Sequence, residues 1–172
     1  MSKLVADASA LVSLGIVAGT APDPLAMCLA RYDVVVPTAV VEELREIAPY
    51  DDTHGRAATT VLNHADKFRT RSVDLDADFP LDDGENAAVT LANDIDATLF
   101  LCDEFNQLGL IHASLADTRL VTTPTMLSVL VQTEQLSGAD ARTLLEQISN
   151  ARSWGANSYV QRARTLLEDP IE

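Results

Sequence analysis

Lysine is almost missing from this chain: only Lys3 and Lys67 occur in 172 residues, and twelve basic residues face 26 acidic ones. The formal net charge is −14. A surface of this kind cannot draw in nucleic acid by broad counterion release, which needs many Lys and Arg contacts. Any RNA contact has to be local, through clustered arginines. Abundant aspartate with scarce lysine is also the composition of proteins adapted to molar salt. There the Debye length falls to about 3 Å, and both self-repulsion and long-range steering are screened. Net charge alone therefore decides nothing about partners here.

Other shortages narrow the field. Cys28 and Cys102 are the only cysteines and both lie in apolar surroundings; they build no disulfide framework and no zinc set, and read as reduced buried residues. His54, His64 and His112 show no ligand spacing. The seven glycines are scattered and form neither a dinucleotide nor a P-loop motif. No run reaches the roughly 18 apolar residues that span a bilayer. No signal-peptide pattern precedes the first strand, so a cytoplasmic protein without membrane contact is expected. Hydrophobic residues make up 47% of the chain, which separates it from disordered acidic tails. The length suits one domain over residues 1–172.

What is present is an alternation of short apolar runs with amphipathic stretches. Strands are expected at 4–6, 33–36, 72–75, 97–102 and 119–122. Helices are expected at 9–17, 24–31, from 38 to about 48, 56–65, from about 82 to 93, 105–116, from 124, 137–152 and 157–167. Ser137-Gly138-Ala139-Asp140 nearly matches a capping box. The alternation predicts a layered α/β fold around a mainly parallel sheet. In such sheets ligands bind beyond the carboxyl ends of the strands.

Carboxylates recur at those ends. Asp7 and Asp103 are each the first charged residue after a buried run. Glu43 follows Val34-Val35-Val36-Pro37 and lies one turn from Val40 and Ile47, beside the buried stripe; Glu42 and Glu46 compete for the same role or for solvent. Glu85 stands in the first turn of a helix opened by Asp82-Asp83-Gly84, where acids also serve as caps and complement the macrodipole. Glu104 and Asn106 could add oxygen ligands or orient a water, and Ser9 could hydrogen-bond the carboxylates. Acids gathered from strand ends can hold a divalent metal, and metal in an acid cluster points to phosphodiester chemistry. Arg56, Arg69, Arg71, Arg152, Arg162 and Arg164 could touch a substrate, although a solvated helix face accounts for each more simply.

Four motifs in order resemble the PIN domain. They are Asp7-Ala8-Ser9-Ala10-Leu11-Val12-Ser13-Leu14, Val36-Pro37-Thr38-Ala39-Val40-Val41-Glu42-Glu43-Leu44, Leu81-Asp82-Asp83-Gly84-Glu85-Asn86-Ala87-Ala88-Val89 and Leu99-Phe100-Leu101-Cys102-Asp103-Glu104. Within that family the chain is similar to the VapC-like ribonucleases of prokaryotic toxin–antitoxin systems, in a haloarchaeal form. The resemblance covers residues 4–131, with a helical extension at 137–168. It implies a three-layer α/β/α fold and a pocket for Mg²⁺ or Mn²⁺ held by Asp7, Glu43, Glu85 and Asp103. It also implies endoribonuclease activity on RNA and a small antitoxin partner that inserts a basic side chain among the acids. Glu104 stands where such relatives often carry a second aspartate.

Two rival enzyme classes fall on single residues. A haloacid-dehalogenase-type phosphatase needs a second aspartate two residues after the first, and Ser9 stands there; it and a response-regulator receiver also need a lysine this chain does not supply. A PIN-like RNA- or protein-binding module without nuclease activity remains the alternative. Leu144, Leu145, Ile148, Leu166 and Leu167 offer faces for a homodimer or for the core.

Overall fold

Buried parallel strands read as continuous hydrophobic runs because both faces are covered, and the two longest runs behave so. In the computed structural model, which describes residues 1–168, β1 (Lys3–Ala6) buries Leu4, Val5 and Ala6, and β2 (Asp33–Pro37) buries Val34, Val35 and Val36. β3 (Arg69–Arg71), β4 (Leu99–Leu101) and β5 (Arg119–Val121) complete one sheet in the order β3-β2-β1-β4-β5. Every pairing is parallel; Val5 lies between Val35 and Phe100.

Nine helices among the described residues connect and flank these strands: α1 (Ala8–Ile16), α2 (Pro24–Arg31), α3 (Thr38–Ile47), α4 (Thr53–Leu62), α5 (Asp83–Asp94), α6 (Leu108–Ser114), α7 (Thr123–Gln132), α8 (Gly138–Arg152) and α9 (Ser158–Leu167). Short polar side chains open most of them. Asp7, Asp23, Asp52, Asp82, Thr122, Ser137 and Asn157 each accept a backbone N–H of the first turn, each such cap contributing about 1 kcal/mol. α1 packs against α4, α7 and α8, while α5 packs against β1, β2 and β4. The result is the three-layer α/β/α arrangement. No helix among the described residues is long and apolar enough to cross a membrane.

Strand order positions the site. The chain runs from β1 outward to β2 and β3, then returns to the other side of β1 for β4 and β5. The order reverses between β1 and β4, and the crevice at their carboxyl ends is where open parallel sheets bind ligands. Asp7 leaves β1 there and Asp103 follows β4.

Three expected elements shift. The strand placed at 72–75 lies instead at Arg69–Arg71, paired with Val35, Val36 and Pro37. It can extend no further because β2 ends at Pro37, where the chain turns into α3. The helix placed at 56–65 starts earlier, where Asp52 caps Gly55 N–H at 2.8 Å. The helix placed at 105–116 shortens to Leu108–Ser114, and residues 105–107 form a turn. The proposed dimer leucines are mostly core: Leu144, Leu145, Ile148 and Leu167 are buried and Leu166 is exposed.

Candidate active site

Asp7 does two jobs at once. As the N-cap of α1 its Oδ1 accepts from Ala10 N–H at 3.1 Å and from the Ser9 hydroxyl at 2.7 Å. Its Oδ2 accepts from the Cys102 thiol at 3.0 Å, and its own N–H donates to Leu101 O at 3.1 Å. Ser9 Oγ in turn accepts from Asp103 N–H at 3.0 Å. The serine therefore ties the end of β1 to the end of β4 and fixes the rotamer of Asp7.

Around Asp7 the chain closes a cavity of about 30 Å³ lined by Asp7, Ala8, Ser9, Glu43, Asp82, Gly84, Glu85 and Glu104. One water needs roughly 10–15 Å³. α3 delivers Glu43 and the first turn of α5 delivers Glu85. Close approach of these two helices depends on Gly84, where a Cβ would meet the Glu43 carboxylate. Asp103 is placed differently. It lies buried behind Asp7, its Oδ1 accepting from Thr123 N–H at 2.7 Å, and among the described residues its Oδ2 has no hydrogen-bond partner.

The electrostatics follow from six acids in one place, five lining the cavity and Asp103 behind it. Desolvation pushes Asp7 up to about 6 even though the Cys102, Ser9 and Ala10 hydrogen bonds pull it down. Glu43 and Glu85 rise to about 7, through desolvation first and then through Asp82 and other carboxylates of the cavity. Asp103 rises by desolvation, opposed by its Thr123 and Ser13 neighbours and by Arg152. Glu104 also rises by desolvation, opposed by Arg152. Among the described residues none of the cavity acids has a Lys or Arg within salt-bridge distance.

An all-oxygen donor set, mutual repulsion and the orphaned buried Oδ2 of Asp103 suit a hard divalent cation. Among the described residues, however, no three His, Cys, Asp or Glu side chains already stand in ligating geometry. Holding an ion would require at least one carboxylate to turn inward. The long side chains of Glu43 and Glu85 have that freedom, whereas Asp7 is pinned.

A family model described as a PIN domain matches residues 3–169. The chain belongs to the PIN-domain family. No curated protein matches it. PIN domains are generally nucleases.

Of the residues singled out in the sequence of this PIN domain, Asp7, Glu43, Glu85, Ser9 and Glu104 meet at the cavity and Asp103 backs it. Asn106 does not join them; it is exposed in the turn after Asp103. Two contributors escape sequence reasoning. Asp82 caps α5 through Glu85 N–H at 2.8 Å and also lines the cavity, so a capping role hides a second one. Cys102 reads as inert core, yet it donates to Asp7; burial and the neighbouring aspartate drive its thiol far up, which keeps it a donor. Arg152, one of the arginines the sequence offers as a substrate contact, comes from α8, and its charge bears on Asp103 and Glu104.

Proposed function

We propose that this PIN domain is a metal-dependent endoribonuclease that hydrolyses RNA phosphodiester bonds. The observation that supports it best is the convergence of Asp7, Glu43 and Glu85, with Asp103 behind, on a cavity that no basic side chain among the described residues lines, at the switch point of the sheet. Asp7, Glu43, Glu85 and Asp103 would hold Mg²⁺ or Mn²⁺. When bound, such an ion supplies Lewis-acid polarisation of a phosphoryl oxygen and activation of water. Ser9, Ala10 and Cys102 keep Asp7 in one orientation, so little ordering cost remains when substrate arrives. Glu43 and Glu85 reach in from two helices and balance protons against a cation.

The test is a Mn²⁺ titration of the whole chain, read by thermal shift and by cleavage of single-stranded RNA, on wild type and Asp7→Asn. Saturable stabilisation and cleavage in wild type, both lost in Asp7→Asn, are expected. The absence of three ready-placed ligands is the one observation favouring the alternative, a binding module with an idle pocket. That reading wins if Mn²⁺ neither stabilises nor activates.

We also read the chain as the VapC-like toxin of a toxin–antitoxin pair working in the cytoplasm at high salt. Support comes from a groove of about 460 Å³ that shares Glu43 and Gly84 with the cavity. Its walls carry Glu42, Glu46 and Asp83 beside Val73, Leu75 and Ala87, a match for a basic amphipathic segment of an antitoxin. Growth arrest on expression, relieved by the co-expressed neighbouring small gene, is the expected result; free growth without it would remove the toxin assignment.

A further inference from the structure

Only eight aromatic residues occur in this chain: four Phe, three Tyr and one Trp. Three of them meet beside the carboxylate cavity, although they come from residues far apart. Phe105 stacks on Tyr159, with ring centroids 5.5 Å apart and planes 10° apart. Trp154 meets Phe105 edge-on at 5.1 Å and 69°. Phe105 directly follows Glu104, which lines the cavity, and Trp154 follows Arg152 with only Ser153 between them. The turn between α8 and α9 folds this group inward: Ser153 takes a left-handed φ of 56° and Gly155 one of 48°, while Trp154 N–H donates to Ser149 O at 3.0 Å.

Packing alone would bury all three rings, yet Tyr159 stays 44% exposed. Close by in sequence, Arg152 bears on Asp103 and Glu104 by its charge. Arg164 is spent on Glu146 at 2.6 Å and Arg69 on Asp33 at 2.7 Å. Half-buried Arg152 has no hydrogen bond or ion pair of its own among the described residues.

We propose that Tyr159, supported by Phe105 and Trp154, is a stacking platform for an unpaired base of the RNA, and that Arg152 holds the phosphate between that base and the carboxylate cavity. The choice of RNA as ligand rests on the nuclease reading of the cavity; the platform deepens it by making the substrate single-stranded at that position. Duplex bases have no free face to stack on a protein ring, whereas splayed bases do. The chain's charge makes stacking the natural source of affinity. At −14 it gains little from counterion release, but a base–aromatic stack needs no net charge and survives salt. One arginine then supplies the local phosphate contact, with a salt slope of about −0.7 in log–log terms for a single strand.

Trp154 is the only tryptophan, so intrinsic fluorescence reports on the platform directly. The experiment titrates Asp7→Asn protein with a short single-stranded RNA, then with the same RNA carrying an abasic site at each position in turn, and adds its duplex as competitor. Saturable quenching is expected, with one abasic position weakening binding roughly five- to a hundred-fold and the duplex failing to compete. Tyr159→Leu, which keeps apolar contact with Phe105, should weaken binding by the same factor, and in the active enzyme should raise KM more than it lowers kcat. Arg152→Gln should flatten the salt dependence.

Equal binding at every abasic position, equal competition by duplex, or unchanged affinity in Tyr159→Leu would each overturn the platform. The abasic series uses unchanged platform residues, so it decides even if Tyr159→Leu fails to fold. Metal-dependent cleavage that is indifferent to Tyr159 would sink the platform and spare the nuclease. Base-dependent quenching with no cleavage under any divalent ion would do the reverse.

Discussion

At the amino end of the sheet Asp33 is answered by Arg69, whose Nε and Nη2 donate to its two carboxylate oxygens at 3.0 and 2.7 Å. At the carboxyl end Asp7, Glu43, Asp82, Glu85 and Glu104 face one cavity, and among the described residues none has a basic partner within 4.0 Å. Both ends belong to the same acidic chain, so composition cannot explain the contrast. A surface adapted to salt spreads its acids into water. Burying several together raises their pKa values and costs stability, and such a cost is retained where a cation or a reaction uses it. The difference is what supports the proposal that the carboxyl end is the working end.

The largest expected break in that contrast is Asp7→Asn. Asparagine keeps the α1 cap and the Oδ1 acceptor but removes one buried charge. RNA cleavage should fall at least about 100-fold. Metal-free stability should rise by about 1–3 kcal/mol at neutral pH, since relief is bounded by the rise of Asp7 from 3.8 to about 6 at roughly 1.36 kcal/mol per pKa unit. That corresponds to roughly 2–10 °C in Tm. A lower Tm in chelator would mean that the charge is compensated and the cavity is not strained by repulsion.

Gly84→Ala sharpens the same point through geometry. The added methyl enters the space of the Glu43 carboxylate, which is the mobile end of a side chain and can move aside. Alanine in the first turn of α5 should leave stability unchanged or raise it by up to about 1 kcal/mol. Cleavage and Mn²⁺ affinity should nonetheless drop about tenfold. Equal loss of stability and activity would mean that Glu43 matters only as packing.

A third measurement compares the two ends through pH. The carboxyls of Asp7, Glu43 and Glu85 rise from 3.8–4.5 to about 6–7 in the folded chain. Between those limits the native state holds protons that the unfolded state has released, so stability falls as pH rises. In molar salt with chelator, where surface repulsion is screened, Tm should drop by several degrees from about pH 4.5 to pH 7.5 and then level off. Saturating Mn²⁺ should remove or reverse the slope, because cation and proton compete for the same oxygens. A Tm that climbs over this window would contradict the raised values.

How much of this was legible in the sequence depends on whether each signal is local. Asp7 and Asp103 could be read because each is the first charge after a buried run, and alternation already implied a parallel sheet with ligands at its carboxyl end. Glu43 could not be separated from Glu46 by spacing alone; the fold puts Glu43 on the cavity and Glu46 in the neighbouring groove. β3 was misplaced because Val73 and Leu75 look more strand-like than Arg69-Thr70-Arg71, yet register with Val35–Pro37 decided the pairing. Asp82 was masked by its capping role, and Cys102 by its apolar neighbours. Phe105, Trp154 and Tyr159 carry no sequence signal as a group, since only tertiary packing of the α8–α9 turn brings them together.

The smallest expected effect is the control at the amino end. Asp33→Asn breaks the paired contact with Arg69, but both side chains are partly in water, at 32% and 55% exposure. Ion pairs of this kind contribute about 0.2–1 kcal/mol and less in salt. The substitution should therefore lower Tm by no more than roughly 1–4 °C at low ionic strength. It should do less in molar salt, and leave cleavage and Mn²⁺ affinity unchanged. The sign is opposite to that of Asp7→Asn in chelator: removing a paired acid loosens the chain, whereas removing an unpaired buried one tightens it. If both substitutions destabilised alike, the acids at the two ends would be equivalent, and the carboxyl cluster would lose its claim to be a site.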